Sequence, residues 1–218
     1  MANFWESEGV VIPAEPVSPV LKRIHQAALR LFAETGATQV SVSELAQAAG
    51  VARGTIYNNL PAPEALFQVI ASELGEEMHQ RVLASFAPAD SPPQRLANGV
   101  RFFIRRTHEE PDWGRFLCRF AFSSESMHIT INSPLAQEIV AGTQAGYFHL
   151  QPQQSLAAVA LIGGSVLSSM LLVREGLRTW RDAGADCAEL LLRALGVPAD
   201  EARQLAVSEL PPLLPATA

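Results

Sequence analysis

The residues with the clearest functional spacing lie in one segment, SVSELAQAAGVARGTIYNNL, at positions 41–60. Counting from Val42, Ala46 is the fifth residue, Gly50 the ninth and Ile56 the fifteenth. A small residue lets two helices cross closely, a glycine supplies the backbone of a sharp turn, and an apolar residue fills the angle between the helices. This spacing predicts a helix-turn-helix, whose second helix is presented to the major groove of DNA.

Three predicted helices hold this turn in place. A first helix is predicted between Ser18 and Gly36, because serine followed by proline favours a helix start and glycine favours a left-handed helix end. Ser41 and Glu44 have the spacing of a capping box, which marks the start of a second helix. The third helix is predicted over residues 52–60.

The rest of the chain also predicts helices. A long amphipathic run follows Pro63, with apolar residues repeating at intervals of three and four up to Phe86. Further helical stretches are predicted near residues 93–109, 112–123, 134–149, 154–176, 184–195 and 199–209. No segment shows the alternation or the density of β-branched residues that a sheet requires. The predicted fold class is therefore all-α.

The predicted domain organisation has three parts. Residues 1–17 contain Pro13 and Pro16 without a sustained apolar period, which predicts a flexible N-terminal tail. Residues 18–64 form a three-helix helix-turn-helix domain for DNA binding. Residues 65–218 form a larger helical domain, which the long amphipathic helix joins to the first.

Composition argues against several classes of protein. The chain has 218 residues, of which 48% are hydrophobic and 17% charged, so most of it should fold. A net charge of −6 disfavours a protein that coats nucleic acid indiscriminately, although residues 18–60 carry four basic residues against two acidic ones. No secretory signal pattern is visible at the N-terminus, and Cys118 and Cys187 lack a CxxC partner. We therefore expect a cytoplasmic protein with reduced thiols.

Sequence patterns of catalysis and metal binding are not found. The sequence has no GxSxG, no Walker-type glycine loop and no HExxH. Its histidines have no metal-ligand spacing with one another or with acidic residues. We expect no enzyme activity, no cofactor and no metal site.

Residues 27–67, AALRLFAETGATQVSVSELAQAAGVARGTIYNNLPAPEALF, resemble the DNA-binding region of the tetracycline-repressor (TetR) family of bacterial transcriptional regulators. The resemblance includes Phe32 and Gly36 at the end of the first helix, SVSELAQAAGV as the second helix, and GTIY within the third. It covers about a fifth of the chain. It implies a cytoplasmic homodimer that binds a palindromic DNA operator, most simply as a repressor.

The family pattern implies roles for the residues that match it. Ser43 would contact phosphate at the start of the second helix, and Tyr57 would place its hydroxyl on phosphate. Arg53 would read a guanine edge in the groove. The full set of implied DNA-binding residues is Ser43, Arg53, Gly54, Thr55, Tyr57, Asn58 and Asn59. Pro63 stands where a phosphate-binding lysine is common in the family, and Asn59 replaces a frequent histidine, so few phosphate contacts are expected.

The resemblance also implies how two subunits would join. The last two major helices of each subunit, near residues 154–176 and 184–195, would form a four-helix bundle. The candidate apolar contacts are Leu156, Leu161, Val166, Leu190, Leu191 and Leu195. Each of these six residues could instead fill the core of its own subunit.

A small-molecule site in the larger domain is the second implied feature. Such cavities are mainly apolar and have a few polar groups that orient the ligand. Aromatic and sulfur-containing residues are frequent here, although most aromatic residues at helical spacing belong to a core. The predicted effector-pocket residues are Phe103, Arg106, Thr107, Trp113, Phe116, Phe120, His128, Phe148 and Met170. A small, largely apolar effector would release the repressor from its operator.

Two alternatives remain open from sequence. Residues 156–173 are apolar and long enough to cross a membrane, but their glycines and serines favour an interior or subunit-interface helix. No membrane association is expected. The alternative to a DNA-binding regulator is a helical ligand-binding or interaction protein of the same fold that no longer binds DNA.

Overall fold

A computed structural model describes residues 18–60, 62–121 and 134–216 of the chain. These residues form helices and short 3₁₀ turns, with no strand among them, which confirms the predicted all-α class. The helices are α1 (Pro19–Thr35), α2 (Val42–Ala49), α3 (Arg53–Asn59), α4 (Leu66–Ala84), α5 (Pro92–Glu109), α6 (Pro111–Phe120), α7 (Pro134–Gln144), α8 (Ser155–Arg174), α9 (Trp180–Ala194) and α10 (Ala199–Val207). The predicted N-terminal tail and His128 lie outside the described residues.

The predicted local signals define the first three helices. The Ser18 hydroxyl accepts the N–H of Leu21 at 3.1 Å, which caps the start of α1. The predicted capping box at the start of α2 is present, with Ser41 and Glu44 bonded reciprocally. The cap of α1 at Gly36 and the cap of α2 at Gly50 both have left-handed backbone, as favoured by glycine.

One cluster of aromatic rings joins the three N-terminal helices to the larger domain. Phe67, at the start of α4, packs against Phe32 of α1 with ring centres 5.3 Å apart. The same ring lies 5.6 Å from Phe116 and 4.9 Å from Phe120, both on α6. The core of the helix-turn-helix domain therefore extends onto α6 of the larger domain, and we call these four rings the aromatic seam.

A second core fills the larger domain around α5. Its most deeply buried large residues come from six different helices, so the packing fixes the bundle. They are Met78, Phe102, Ile104, Trp113, Ile139, Met170 and Leu192. After α10, residues 208–216 run back to α4, where the N–H of Leu214 donates to the Ser85 hydroxyl at 2.8 Å and the Leu214 carbonyl accepts from Arg81 at 3.1 Å.

Helix α8 is apolar on every side, although only part of its surface is buried within the chain. The stretch Pro152–Arg174 is long and apolar enough to cross a membrane: an 18-residue window within it has a mean hydropathy of 2.2, and 28% of that window is buried. Its buried side, including Ile162 and Met170, packs in the core of the helical domain.

The structure separates the predicted subunit contacts into two groups. Leu156, Leu161 and Leu190 are 58%, 47% and 63% exposed, as an interface prediction requires. The other three proposed contacts, Val166, Leu191 and Leu195, are buried in the subunit's own core, so assigning them to the interface was wrong. Helix α8 is apolar on every side, and Leu190, Leu191 and Leu192 are consecutive on α9. Hydrophobic periodicity therefore could not distinguish the core side from the outer side at these positions.

Candidate nucleic-acid interface and effector site

The turn between α2 and α3 is held by a side chain from α1. Gly50 has φ 61° and ψ 43°, and the N–H of Val51 donates to the Ala46 carbonyl at 3.0 Å. The Arg23 guanidinium donates to the Ala49 carbonyl at 2.7 Å and to the Gly50 carbonyl at 3.1 Å. These are carbonyls left without helical partners at the end of α2, so Arg23 completes the cap.

Helix α3 has one buried anchor and an outward face. Ile56 is fully buried against α1 and α2, as its position in the motif predicts. Arg53, Gly54, Tyr57 and Asn58 are all exposed, and the Tyr57 side chain is 62% exposed. The face of α3 opposite Ile56 is therefore accessible to a large partner.

The remaining predicted DNA-binding residues are less accessible. Thr55 and Asn59 are half-buried, and the Asn59 amide donates to the Thr55 carbonyl at 2.8 Å. This bond uses one N–H of the amide, so the second N–H and Oδ1 of Asn59 are left for another partner. Ser43 is half-buried in the first turn of α2.

Sequence reasoning missed the structural role of Arg23. Its contacts join residues 26 and 27 positions apart, so no local pattern indicates them. Lys22, Arg23 and Arg30 are all exposed on α1, so Arg23 keeps its positive charge at the surface while its guanidinium holds the turn.

The predicted polar residues of the effector site are engaged within the protein. Arg106 is buried, and its Nη2 lies 2.8 Å from Glu77 Oε2 and 2.9 Å from Glu110 Oε2. Its guanidinium also lies 4.5 Å from the centre of the Trp113 ring. The Thr107 hydroxyl donates to the Phe103 carbonyl at 3.1 Å. Arg106 thereby ties α4 to α5.

Two buried donors beside this network have no hydrogen-bond partner among the described residues. They are Nε of Arg106 and Nε1 of Trp113. A buried N–H without an acceptor is unfavourable by roughly 1–3 kcal/mol. An acceptor atom on a bound molecule would satisfy either donor.

The structure distributes the other predicted pocket residues among different places. Phe116 and Phe120 lie in the aromatic seam, and Met170 lies in the core of the larger domain. Phe148 packs so closely on Gly142 that an added Cβ there would lie 2.4 Å from its ring. These residues do not surround one common cavity in the described part of the chain, and the pocket stays a prediction.

Two clefts on the described surface have other linings. One, of about 590 Å³, lies among α1, α6 and α8. The other, of about 360 Å³, is a groove between α8 and α9 whose lining includes the exposed residues Leu161 and Leu190.

Models of known families match most of the chain. The model for bacterial regulatory proteins of the tetR family matches residues 24–70. The model for a tetracyclin repressor-like C-terminal domain matches residues 91–208, which is more than half of the chain. The first match contains the whole helix-turn-helix, and the second contains α5 to α10.

Solved structures share the fold over nearly the whole chain. RolR in complex with its ligand resorcinol superposes with a TM-score of 0.65 at 24% identity, covering 89% of this chain and 96% of RolR. RolR without ligand superposes with a TM-score of 0.62 at 26% identity, covering 88% of this chain and 100% of RolR. A putative tetR family regulator from Shewanella sp. PV-4 superposes with a TM-score of 0.69 at 21% identity, covering 83% of this chain and 100% of the regulator.

Curated relatives match over a shorter region. An uncharacterized HTH-type transcriptional regulator of Mycobacterium tuberculosis is 27% identical over 89 residues. That region is 41% of this chain and 44% of the relative, so the match spans less than half of the relative's length.

The capping box of α2 predicts an acid-sensitive helix start. The Ser41 hydroxyl lies 2.6 Å from Glu44 Oε2, and this bond, followed by that of the Ser41 N–H, lowers the pKa of the Glu44 carboxyl below its ordinary value. Because the folded pKa is depressed, the stabilisation is fully present above the ordinary carboxyl pKa and is lost as the pH falls through the folded value. In Ser41→Ala the Glu44 pKa should rise towards its ordinary value, as measured by NMR titration of the side-chain carboxyl.

Ser43→Ala is the matched control, since it removes a hydroxyl from the same helix turn without touching the capping box. It should leave the Glu44 pKa unchanged. An identical Glu44 pKa in the wild type and in Ser41→Ala would contradict the assigned cause.

Proposed function

The chain belongs to the tetR family of bacterial regulatory proteins, as its sequence resemblance predicts, and we propose that it is a cytoplasmic transcriptional repressor that binds a palindromic operator as a homodimer. A small, largely apolar effector would release it. The observation that carries this proposal is the outward face of α3, held in place by the buried Ile56. Membership in a family of DNA-binding regulators agrees with the expectation of a non-enzymatic protein.

Gly54 supports a close approach of DNA to α3. A glycine within a helix is unfavourable by roughly 1 kcal/mol relative to alanine. No atom lies within 4 Å of a Cβ added at Gly54, so packing within the chain does not require the glycine. A backbone without a side chain at this position would suit a helix lying against a phosphate backbone or base edge, beside Arg53.

The outer side of α8 and α9 supports a homodimer. Leu156, Leu161, Leu172 and Leu190 are exposed there, and exposed leucines on adjacent helices mark an interaction surface. Gly164 lies on α8 with open space around its Cβ position, so a second helix could approach closely. Two recognition helices related by a two-fold axis would meet the two halves of a palindromic operator.

Helix α4 supports a route from effector to operator. Its first turn carries Phe67 in the aromatic seam, and its fourth turn carries Glu77, which pairs with Arg106 of α5. A molecule accepting a hydrogen bond from Arg106 or Trp113 would act directly on this pairing. To release DNA, the effector must bind the released arrangement more tightly than the DNA-binding one.

The alternative is a ligand-binding or interaction protein of this fold that does not bind DNA. The engagement of Arg23 and Asn59 in contacts within the domain gives this alternative its support. Operator selection separates the two functions.

A selection of bound sequences from random duplex DNA should return a palindromic site. Arg53→Ala should abolish that enrichment, because a guanine-reading arginine contributes roughly 1–3 kcal/mol of base discrimination. Arg203→Ala, at an exposed position of α10, is the matched control and should enrich the same site. Unchanged enrichment with Arg53→Ala would exclude the base-reading role, and no enrichment by the wild type would favour the alternative function.

Leu161→Glu should convert the dimer to monomer. A charge placed in an apolar helix interface loses water without gaining a partner. Val207→Glu introduces the same charge at a 66% exposed residue of α10 and should leave the dimer intact. Sedimentation velocity at micromolar protein measures both, and a wild-type protein that sediments as a monomer would refute the homodimer.

A further inference from the structure

The cleft among α1, α6 and α8 is rich in arginine. Its lining includes the side chains of Arg115, Arg119 and Arg174 and a single acidic residue, Glu34. The whole chain carries a net charge of −6, so this concentration of positive charge is opposite to the average of the protein. The volume of about 590 Å³ lies within the range of small-molecule sites.

The positive charges of two of these arginines are not balanced by a strong ion pair within the protein. Arg115 pairs with Asp112 at 3.5 Å, and both side chains are more than a third exposed, so this ion pair is weak. Arg174 has no carboxylate within 4 Å in the described part of the chain, and its guanidinium interacts with the Cys118 thiol. Guanidinium groups without a strong carboxylate partner in the protein are suited to bind the carboxylate of a ligand, through paired hydrogen bonds.

The remaining wall of the cleft is apolar. Ala33, Leu167 and Leu171 line it beside Cys118. Burial raises the pKa of the Cys118 thiol above its ordinary value, against an opposing effect of Arg174, so the thiol is uncharged at neutral pH. The cleft thus combines an anion-binding side with an apolar side.

We propose that this cleft binds a small organic carboxylate, with Arg115 and Arg174 holding the carboxylate and Leu167 and Leu171 contacting its apolar body. An inorganic anion would use only the arginine side of the cleft. This site is separate from the predicted effector pocket, with which it shares no residue.

Arg119 gives this site a direct connection to the helix-turn-helix domain. Its Nη1 donates to the carbonyls of Ala33 at 2.8 Å and Glu34 at 3.0 Å, at the end of α1. Its guanidinium also occupies the space beside Gly36, where an added Cβ would lie 2.7 Å away. Arg119 lines the same cleft, so a carboxylate held by Arg115 and Arg174 also attracts the Arg119 guanidinium in competition with these carbonyls. Binding thereby loosens the attachment of α1 to α6. This regulatory consequence rests on the proposed function, whereas binding itself does not.

The probes are a panel of aromatic monocarboxylates, such as 2-naphthoate, each paired with its neutral amide, and inorganic phosphate. Calorimetric titration of the full chain without DNA should show at least one carboxylate binding ten times more tightly than its amide and than phosphate. Arg174→Gln and Arg115→Gln should each remove most of that preference. Arg203→Gln, remote from the cleft, should retain it.

The outcomes separate this site from the proposed function. Equal binding of acids and amides across the panel up to 10 mM, or a preference that survives both cleft substitutions, overturns the proposal, and operator binding is unaffected by that result. Phosphate binding as tightly as the best carboxylate overturns the apolar part of the assignment. Once a binding carboxylate and an operator have been identified, operator affinity is measured with and without saturating carboxylate. The carboxylate should weaken operator binding at least fivefold in the wild type and have no effect in Arg174→Gln.

Discussion

The contact on which the rest of the structure depends is the packing of Phe67 against Phe32, Phe116 and Phe120. A three-helix domain of under fifty residues buries little apolar surface alone. By sharing its core with α4 and α6, it gains burial and also acquires a fixed orientation relative to the larger domain. His25 on α1 and Glu73 on α4, 2.9 Å apart, add a polar contact across the same junction. The direction in which α3 faces is therefore set by residues outside the predicted DNA-binding set.

Two arginines each cap the last carbonyls of a helix in the helix-turn-helix domain. Arg23 caps the carbonyls at the end of α2, and Arg119 caps those at the end of α1. Each helix ends at a glycine whose left-handed backbone leaves its last carbonyls accessible to a guanidinium. Arg23 stabilises the turn within the DNA-binding domain. Arg119 reaches the end of α1 from the larger domain, and its hydrogen bonds to Ala33 and Glu34 are the contacts through which the proposed carboxylate would act on α1.

The sequence predicted those features that depend on residues close in the chain. The Ser41–Glu44 capping box, Gly36, Gly50 and the anchor Ile56 are local signals, and the structure has each where expected. The long-range pairings of the arginine caps have no sequence signature. Phe116 and Phe120 were assigned to an effector pocket because aromatic residues on α6 suit one, while their packing partner Phe67 lies about fifty positions earlier. Helix α8 is apolar on every side, so its sequence does not indicate which side is buried, and only the tertiary structure shows it.

The central claim is that the aromatic seam sets the orientation of α3. Its most direct test is the operator affinity of a variant in which a seam residue on α6 is substituted. Phe120→Ala removes a ring that lies on α6 and packs on Phe67, and Phe148→Ala removes a buried ring remote from the seam as a control. At a temperature where both variants are fully folded by circular dichroism, Phe120→Ala should bind the selected operator at least tenfold more weakly, and Phe148→Ala should bind it as the wild type does. Wild-type affinity in Phe120→Ala, together with a measurably lower unfolding temperature, would contradict the claim that the seam sets the orientation of α3.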